Sequence, residues 1–485
     1  MQPTSTTKNL LRVLQALARA GLDVTHEPGG YRVRLHEPPG APAGEVLLPD
    51  AFPLEGKALR QLADLAAAAH PAGGAVERAC ASPDFHPGDA GVAIGSIAVT
   101  EGMVIPAAVG SDINCGMRLH VVDLDVERLL ARKAEFIDLL RGDFFFGKRD
   151  LPMAAASMRA LFHEGLLGWL AALREGPLGM MARVDLAELE RELDRVHLGG
   201  ALDGDARWAP EDLVPADGAP IRDGGMATIG GGNHFVELQV VEEVVDRRLA
   251  HAWGVRPGQV AFMIHSGSRG VGKHVGAAWR DRARAHWPKG QVHPTSGLFA
   301  LSLADHPELV ASYLEAEATA ANYGFANRLL LAELVRQRLR QLHGPIAAPL
   351  VYDLPHNITL PLAGDPRRWI VRKGACPAHQ GQPVIIPGSM GAASYLLVGR
   401  GHPRLCESAS HGAGRAISRF ELGRGPVDEE ALGLRGVECI TLREERRIEE
   451  APAAYKPIGP VIQSQVDAGL ASVVARMRPL LTFKG

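Results

Sequence analysis

Four apolar runs of this chain end on a side chain that can bind a metal ion, each beside a glycine-rich turn. Residues 105–116 carry Asp112 and Cys115 three apart, in Gly-Ser-Asp-Ile-Asn-Cys-Gly. Gly230, Gly231 and Gly232 lead into Asn233, His234 and, three further on, Glu237. His265 closes Phe-Met-Ile-His and is followed by Ser266, Gly267, Ser268 and Arg269, and His356 follows Tyr-Asp-Leu-Pro. Strand ends are rigid mounts, and one carboxylate, one thiolate and three imidazoles can hold one or two divalent ions, with the Cys115 thiolate able to bridge. Taken singly, each has a plain alternative: a histidine at a strand end is commonly a satisfied structural residue, and Cys115 a small buried hydrophobe. Taken together they would require four coincidences. Ligand softness alone favours zinc over manganese, which leaves the metal open.

A fifth stretch, Ser410-His411-Gly412-Ala413-Gly414-Arg415, has the parts for handling phosphate. Its glycines let backbone N–H groups approach an anion, Arg415 can clamp it with Arg419 close by in sequence, and the His411 imidazole can attack phosphorus or carry protons. The plain reading is a glycine turn that starts an amphipathic helix over residues 415–422, with His411 as a polar cap. Further hydroxyls, backbone amides and cations stand at Ser266, Ser268 and Arg269, at Arg372-Lys373-Gly374, and in Pro387-Gly388-Ser389-Met390-Gly391. No Gly-x-x-x-x-Gly-Lys-Ser/Thr is present, which argues against a Walker-type NTPase.

The elements that must hold these residues follow from periodicity. Helical spacing covers residues 9–22, 54–69, 126–140, 153–173, 185–196, 273–287 and 307–342, the last with a soft spot at Gly324. Strands are expected over 31–36, in short runs across 81–124, and over 235–241, 260–264, 350–353, 369–372, 384–386 and 394–398. Residues 198–225 are the longest stretch without pattern, a mobile lid or a surface excursion. Strands and helices come in runs without βαβ regularity, so the expected class is α+β: one large domain with mixed and antiparallel sheets around a central cleft and helices at the periphery.

Composition narrows the class. The 485 residues are 46% apolar and 22% charged, ample for a large core. The formal charge of −3 excludes a global basic field, so any nucleic-acid contact must be local. Five cysteines, without a C-x-x-C pair, argue for a reduced, cytoplasmic setting over a disulfide framework. Residues 153–173, the most apolar segment, are interrupted by Arg159, His163 and Glu164 and predict a buried helix, not a membrane span.

Seven motifs, in order, resemble the RtcB family of RNA-splicing ligases. They are Gly-Ser-Asp-Ile-Asn-Cys-Gly-Met, Gly-Gly-Gly-Asn-His-Phe-x-Glu, His-Ser-Gly-Ser-Arg-Gly, Pro-Gly-Ser-Met-Gly, His-Gly-Ala-Gly-Arg, Ala451-Pro-Ala-Ala-Tyr455-Lys and the terminal Lys484-Gly485. The likeness runs from about Pro83 to the last residue, giving an expected catalytic domain over 81–485 and, over 1–80, a helical and strand region of the same fold. The resemblance implies a GTP- and Mn²⁺-dependent ligase joining RNA 3′-phosphate or 2′,3′-cyclic phosphate ends to 5′-hydroxyl ends. It implies Asp112, Cys115, His234, His265 and His356 as ligands of two manganese ions, and His411 as the nucleophile that takes GMP. It also implies Asn233, Arg269, Ser389 and Arg415 as phosphate-orienting groups, and Glu237, Tyr455 and Lys484 as the guanine pocket. The expected partners are RNA or DNA ends and GTP, with an activating helper protein as a further candidate and no membrane.

Departures from the family pattern stand at Ser111 and Asn114, at Pro355, and at Cys376 and Pro377 where the family has Thr-Arg. The last pair bears on holding the nucleic-acid end. Two alternatives follow: a paralogue that caps 3′-phosphate ends with GMP without sealing them, and a silent metal- and nucleotide-binding module.

Overall fold

The computed structural model describes residues 5–417, 430, 432–434 and 436–485. Arg419 and most of the helix expected over 415–422 lie outside the described residues.

Two large sheets carry the architecture, which is α+β. In the eight-stranded sheet the order is Leu350–Pro355, Gly116–Asp125, Gln259–Ser266, Phe235–Val244, Ala471–Lys484, Ser394–Gly399 and Pro383–Ile386, with Glu438–Thr441 added in parallel to the Ala471–Lys484 strand. All other neighbours in it run antiparallel. The seven-stranded sheet is ordered Leu22–Glu27, Gly30–Leu35, Ala43–Val46, Ala75–His86, Ile94–Glu101, Asp365–Lys373 and Asn357–Leu362. The first 80 residues are therefore woven into the same sheet as the later chain, and the Ala75–His86 strand runs across residue 80.

Most expected elements are present with shifted ends. Residues 126–140 form two helices, Val126–Ala131 and Lys133–Phe145, parted at Arg132. The run beginning at Met103 is extended for two residues only, because Pro106 opens a short helix, Pro106–Val109. Residues 153–173 are helical over Ala155–Glu175 but kinked at Gly165 (φ 64°), and Trp169, Leu166 and Phe162 of this segment are buried. Among the described residues no helix is long and apolar enough to cross a membrane.

The helix Pro307–His343 runs without a break through Gly324, so the expected soft spot is absent. A Cβ at 324 would come within 3.1 Å of the Asn114 carbonyl oxygen, so glycine there allows close approach of the helix to the loop carrying Cys115. Residues 198–225 contain only short 3₁₀ turns. Side chains of that same helix fix their first part: Asn322 accepts from Leu202 N and donates to Leu202 O, and Thr319 accepts from Asp205 N and donates to Asp205 O. These bonds make the segment a pinned surface excursion, not a lid.

Candidate active site

Four adjacent strands deliver the donors. In the order Leu350–Pro355, Gly116–Asp125, Gln259–Ser266, Phe235–Val244, every neighbour is antiparallel, so a shared sheet edge collects strand starts and strand ends in alternation. Cys115 and His234 immediately precede their strands, His265 is the penultimate residue of its strand, and His356 immediately follows its strand. Register brings them level: Pro355 faces Gly116, Met117 faces His265, and Phe235 faces His265.

Beneath this edge Arg328 fastens the donor-bearing loops. Its guanidinium donates to the carbonyls of Asn114 (2.6 Å) and Ser266 (3.1 Å) and pairs with Asp353 at 2.8 Å. Asn114 has φ of 53°, the left-handed region that asparagine tolerates better than other residues with a Cβ. Its side-chain oxygen accepts from Arg328 at 3.3 Å, so the departure at this position adds a brace and keeps the turn.

The donors form two groups that share Cys115: Cys115 with His265 and His356, and Cys115 with Asp112 and His234. The Cys115 Sγ lies 3.1 Å from His234 Nε2 and 3.3 Å from His265 Nε2, and His234 Nε2 lies 2.9 Å from the Asp112 carboxylate. His265 Nδ1 is 3.0 Å from the Asn233 carbonyl, which only accepts, so Nδ1 carries the proton and Nε2 presents a bare lone pair. That lone pair faces Cys115 and the His356 Nε2, 3.3 Å away. Burial, reinforced by neighbouring histidines, pushes the pKa values of His265 and His356 well below the ordinary imidazole value, so both are neutral donors. Burial would raise the Asp112 carboxyl, but His234 outweighs it and holds the carboxyl well below its usual value. Burial and then Asp112 push the Cys115 thiol up, so a cation binding there must displace its proton. Once the protons on the Cys115 thiol and between His234 and Asp112 are displaced, the converging lone pairs fit divalent ions bridged by one sulfur.

His411 stands beside this group, its ring centroid 4.6 Å from that of His356. It follows the short strand Ser408–Ser410, which pairs with Ala375–Pro377. His411 Nδ1 lies 2.7 Å from the buried Asp84 carboxylate and 2.8 Å from the Gly374 carbonyl. Both are acceptors, so Nδ1 holds the proton and the Nε2 lone pair is free. Burial opposes ionisation of Asp84, but its hydrogen bond with His411 prevails and lowers its pKa. The backbone N–H groups of His411 and Gly412 also donate to Asp84, at 3.1 and 3.3 Å. Two glycines make room: a Cβ at Gly374 (φ +66°) would come within 3.2 Å of His411 Cε1, and one at Gly414 (φ +77°) within 2.0 Å of the Asp84 carbonyl oxygen.

These residues open on a cavity of ≈ 460 Å³ whose wall includes all five candidate ligands, His411, Asn233 and Arg269. Lys273, Arg280 and Lys373 add positive charge to it. Arg269 donates through Nε to the Thr228 hydroxyl at 3.0 Å.

The remaining candidates gather behind this wall in two places. Lys484 is buried and donates to the Asn233 side-chain oxygen at 2.9 Å. Glu237 accepts from Gln239 (2.7 Å) and Thr482 (2.5 Å), and burial raises its pKa to about 7. Arg415 pairs with Glu450 at 3.0 Å, Tyr455 donates its hydroxyl to the same carboxylate, and Ser389 donates to the Glu450 carbonyl at 2.5 Å. Tyr455 thus stands with Arg415 at the Glu450 carboxylate. Cys376 is buried in the core, turned toward the carbonyls of Ala409 and Ser410, and neither it nor Pro377 lines the cavity.

Sequence reasoning missed Asp84 and Glu450. Neither has metal-ligand spacing around it; Asp84 lies in Pro-Asp-Phe, and Glu450 is the last acid of the charged run Glu444-Glu-Arg-Arg-Ile-Glu-Glu450, which reads as a solvated helix face.

Comparison with known proteins gives the same direction. A family profile described as tRNA-splicing ligase RtcB matches residues 61–485. The RNA-splicing ligase RtcB of Mycobacterium tuberculosis is 35% identical over 454 residues, which covers 85% of this chain and 98% of that protein. The tRNA-splicing ligases RtcB of Thermococcus kodakarensis and Pyrobaculum aerophilum are 34% and 32% identical, each over 83% of this chain and over 86% and 87% of their own lengths.

Replacing the shared sulfur tests the donor geometry. Cys115→Ala is expected to lose most divalent metal at both groups, whereas loss at one site requires only a one-sided donor. Metal content after dialysis, measured by plasma mass spectrometry on the folded variant, distinguishes the two; unchanged content removes Cys115 from the bridge.

Proposed function

The chain belongs to the RtcB family of tRNA-splicing ligases and is read as an RNA ligase, and from that premise we propose that it seals RNA 3′-phosphate or 2′,3′-cyclic phosphate ends to 5′-hydroxyl ends at the expense of GTP. The observation that carries the chemistry is the orientation of His411: Nδ1 is tied to Asp84 and Gly374, and Nε2 is left as a lone pair beside the donor cluster.

In this reading His411 Nε2 attacks the α-phosphorus of GTP, an N–P bond forms, and the bond to the β-phosphate oxygen breaks with release of pyrophosphate. A 3′-phosphate oxygen of RNA next attacks the same phosphorus and frees His411, giving a 3′-guanylylated end. The 5′-hydroxyl then attacks the terminal RNA phosphorus, and GMP leaves with the bond electrons. A cyclic phosphate is first opened by water to the 3′-phosphate. Asp84 holds the His411 tautomer throughout and offsets the charge that develops on the ring when the N–P bond forms.

Manganese ions held by Asp112, Cys115, His234, His265 and His356 would offset negative charge on the transferring phosphates. Asn233 and Arg269, on the cavity wall, are the phosphate-orienting groups of this reading, joined by Ser389 and Arg415 from behind it. Glu237, Tyr455 and Lys484 serve the guanine base: a carboxylate accepts from N1–H and N2–H₂, and a lysine donates to O6 or N7.

Capping of 3′-phosphate ends without sealing is the second reading, and it rests on Cys376 and Pro377 standing where the family has Thr-Arg. Its support is limited by the burial of Cys376 away from the cavity.

Incubation with GTP and Mn²⁺ is expected to give one acid-labile, base-stable GMP adduct per chain by intact mass. His411→Ala is expected to abolish it with metal content unchanged, and Asp84→Asn to slow its formation by about 100-fold or more, as loss of an orienting carboxylate does elsewhere. Discharge by an oligonucleotide ending in 3′-phosphate, with a joined product when a 5′-hydroxyl partner is present, supports sealing. A guanylylated end that persists beside that partner supports capping. Absence of an adduct with every divalent ion overturns both and favours the silent module.

Removing Lys484 and Gly485 is expected to raise the GTP requirement and to narrow the preference for GTP over ATP by about 1–3 kcal/mol, the worth of one buried donor to a base edge. Unchanged rejection of ATP in a competition assay would take Lys484 out of base recognition.

A further inference from the structure

A second cavity, of ≈ 960 Å³, lies on the other face of the Asp365–Lys373 strand. Successive side chains of a strand point to opposite sides, and here Lys373 lines the catalytic cavity while Arg372 lines the second one.

Arg372 is unlike the other deeply buried arginines. Arg118 pairs with Asp353 and Glu192, Arg328 with Asp353, and Arg336 with Glu192 and Glu333. Arg372 is equally buried, yet its partners are neutral: the Ser408 hydroxyl at 2.8 Å and the Cys406 carbonyl at 3.4 Å. No carboxylate reaches ion-pair distance of it among the described residues. Burial lowers its pKa to about 10, the sign of a cation held without a full counter-charge. His197 adds an independent observation: it also lines the cavity, is buried, and its Nε2 has no hydrogen-bond partner among the described residues. A guanidinium without a counter-charge and an imidazole nitrogen without a partner thus share one wall.

The rest of the lining says what else the occupant must be. Val99, Leu360, Leu362 and Ile370 give an apolar floor. Glu77 is paired with Arg368 and Glu407 lies against His379, and together with Asp203 these acids disfavour a polyanionic strand. The volume falls in the range of small-molecule sites.

We propose that this cavity is a second binding site, separate from the catalytic one, for a small organic anion whose carboxylate or phosphate head seats on Arg372 and His197 and whose apolar body fills the Val99, Leu360 and Ile370 side.

Cys406 lines the same cavity and reports on it. Its thiol pKa is lowered, first by a hydrogen bond with Cys80 and then by Arg78 and Arg372, which favours the thiolate that iodoacetamide alkylates. The test follows alkylation of Cys406 by iodoacetamide, read by peptide mass spectrometry, with phenylacetate, phenyl phosphate or benzyl alcohol as probes. At a probe concentration ten times its Kd, alkylation is expected to slow by about tenfold in the native chain and in His411→Ala, and not in Arg372→Met. Protection by phenylacetate alone identifies a carboxylate ligand, and protection by phenyl phosphate alone a phosphate ester. No protection by either anion, equal protection by benzyl alcohol, or protection that survives Arg372→Met overturns the proposal. Crystals of the native chain soaked in 4-iodophenylacetate give a reading independent of the variant's folding. An iodine peak in this cavity with the carboxylate on Arg372 supports the site, and none there overturns it.

Discussion

One guanidinium holds the catalytic geometry together. Arg328 projects from the Pro307–His343 helix and binds the carbonyl just before Cys115, the carbonyl just after His265, and the carboxylate of Asp353 three residues before His356. Three of the four donor-bearing segments thus meet on one planar, rigid group. A buried ion pair contributes little net stability after desolvation, but removing one partner strands the other at a cost of about 3–5 kcal/mol. The interaction therefore acts as a geometric constraint: the sulfur and imidazole nitrogens cannot drift apart without leaving a charge unpaired. Such a brace suits a donor group whose imidazole nitrogens stand 3.3 Å apart, because a scaffold must hold them in place for a cation.

Antiparallel order supplies the rest of that scaffold. In a parallel sheet all strand ends with the same polarity collect on one side, and Cys115, which precedes its strand, would lie opposite His265, near the end of its own. Alternating polarity brings both to the same edge. His411 arrives from a different pairing, that of Ser408–Ser410 with Ala375–Pro377, so His411 and the donor group are mounted on separate sheets and meet across the cleft. That separation lets Asp84, on the seven-stranded sheet, set the His411 tautomer without contributing a donor to the metal group.

What the sequence made legible was the donors themselves. Asp112, Cys115, His234, His265 and His356 were readable because they stand at or next to the boundaries of apolar runs, a local pattern tied to strand geometry. Asp84 and Glu450 were not, because their roles arise from contacts with residues 327 and 35 positions away, and nothing in their own neighbourhood encodes the partner. The expected soft spot at Gly324 failed for a related reason: propensity assigns a cost to glycine in a helix, but the small residue there is what admits the Asn114 loop. Residues 198–225 looked free because the groups that fix them, Asn322 and Thr319, belong to a distant helix.

Of the departures from the family pattern, Ser111 lines the active-site cavity and the others fall on support positions. Asn114 occupies a left-handed turn and accepts a hydrogen bond from Arg328, and Pro355 faces Gly116 at a position whose N–H would point away from that strand, the neighbouring His356 N–H donating to the Cys115 carbonyl at 2.8 Å. Cys376 faces the core. No donor, and not His411, is altered. The Asp365–Lys373 strand links these considerations to the second cavity, since the same two residues, Arg372 and Lys373, place one cation on each of its faces. A shift of that strand would move both charges together, and its neighbour Gly374 carries the carbonyl that orients His411. Physical continuity between the two cavities therefore runs through three consecutive residues of backbone, with no intervening loop to absorb the motion.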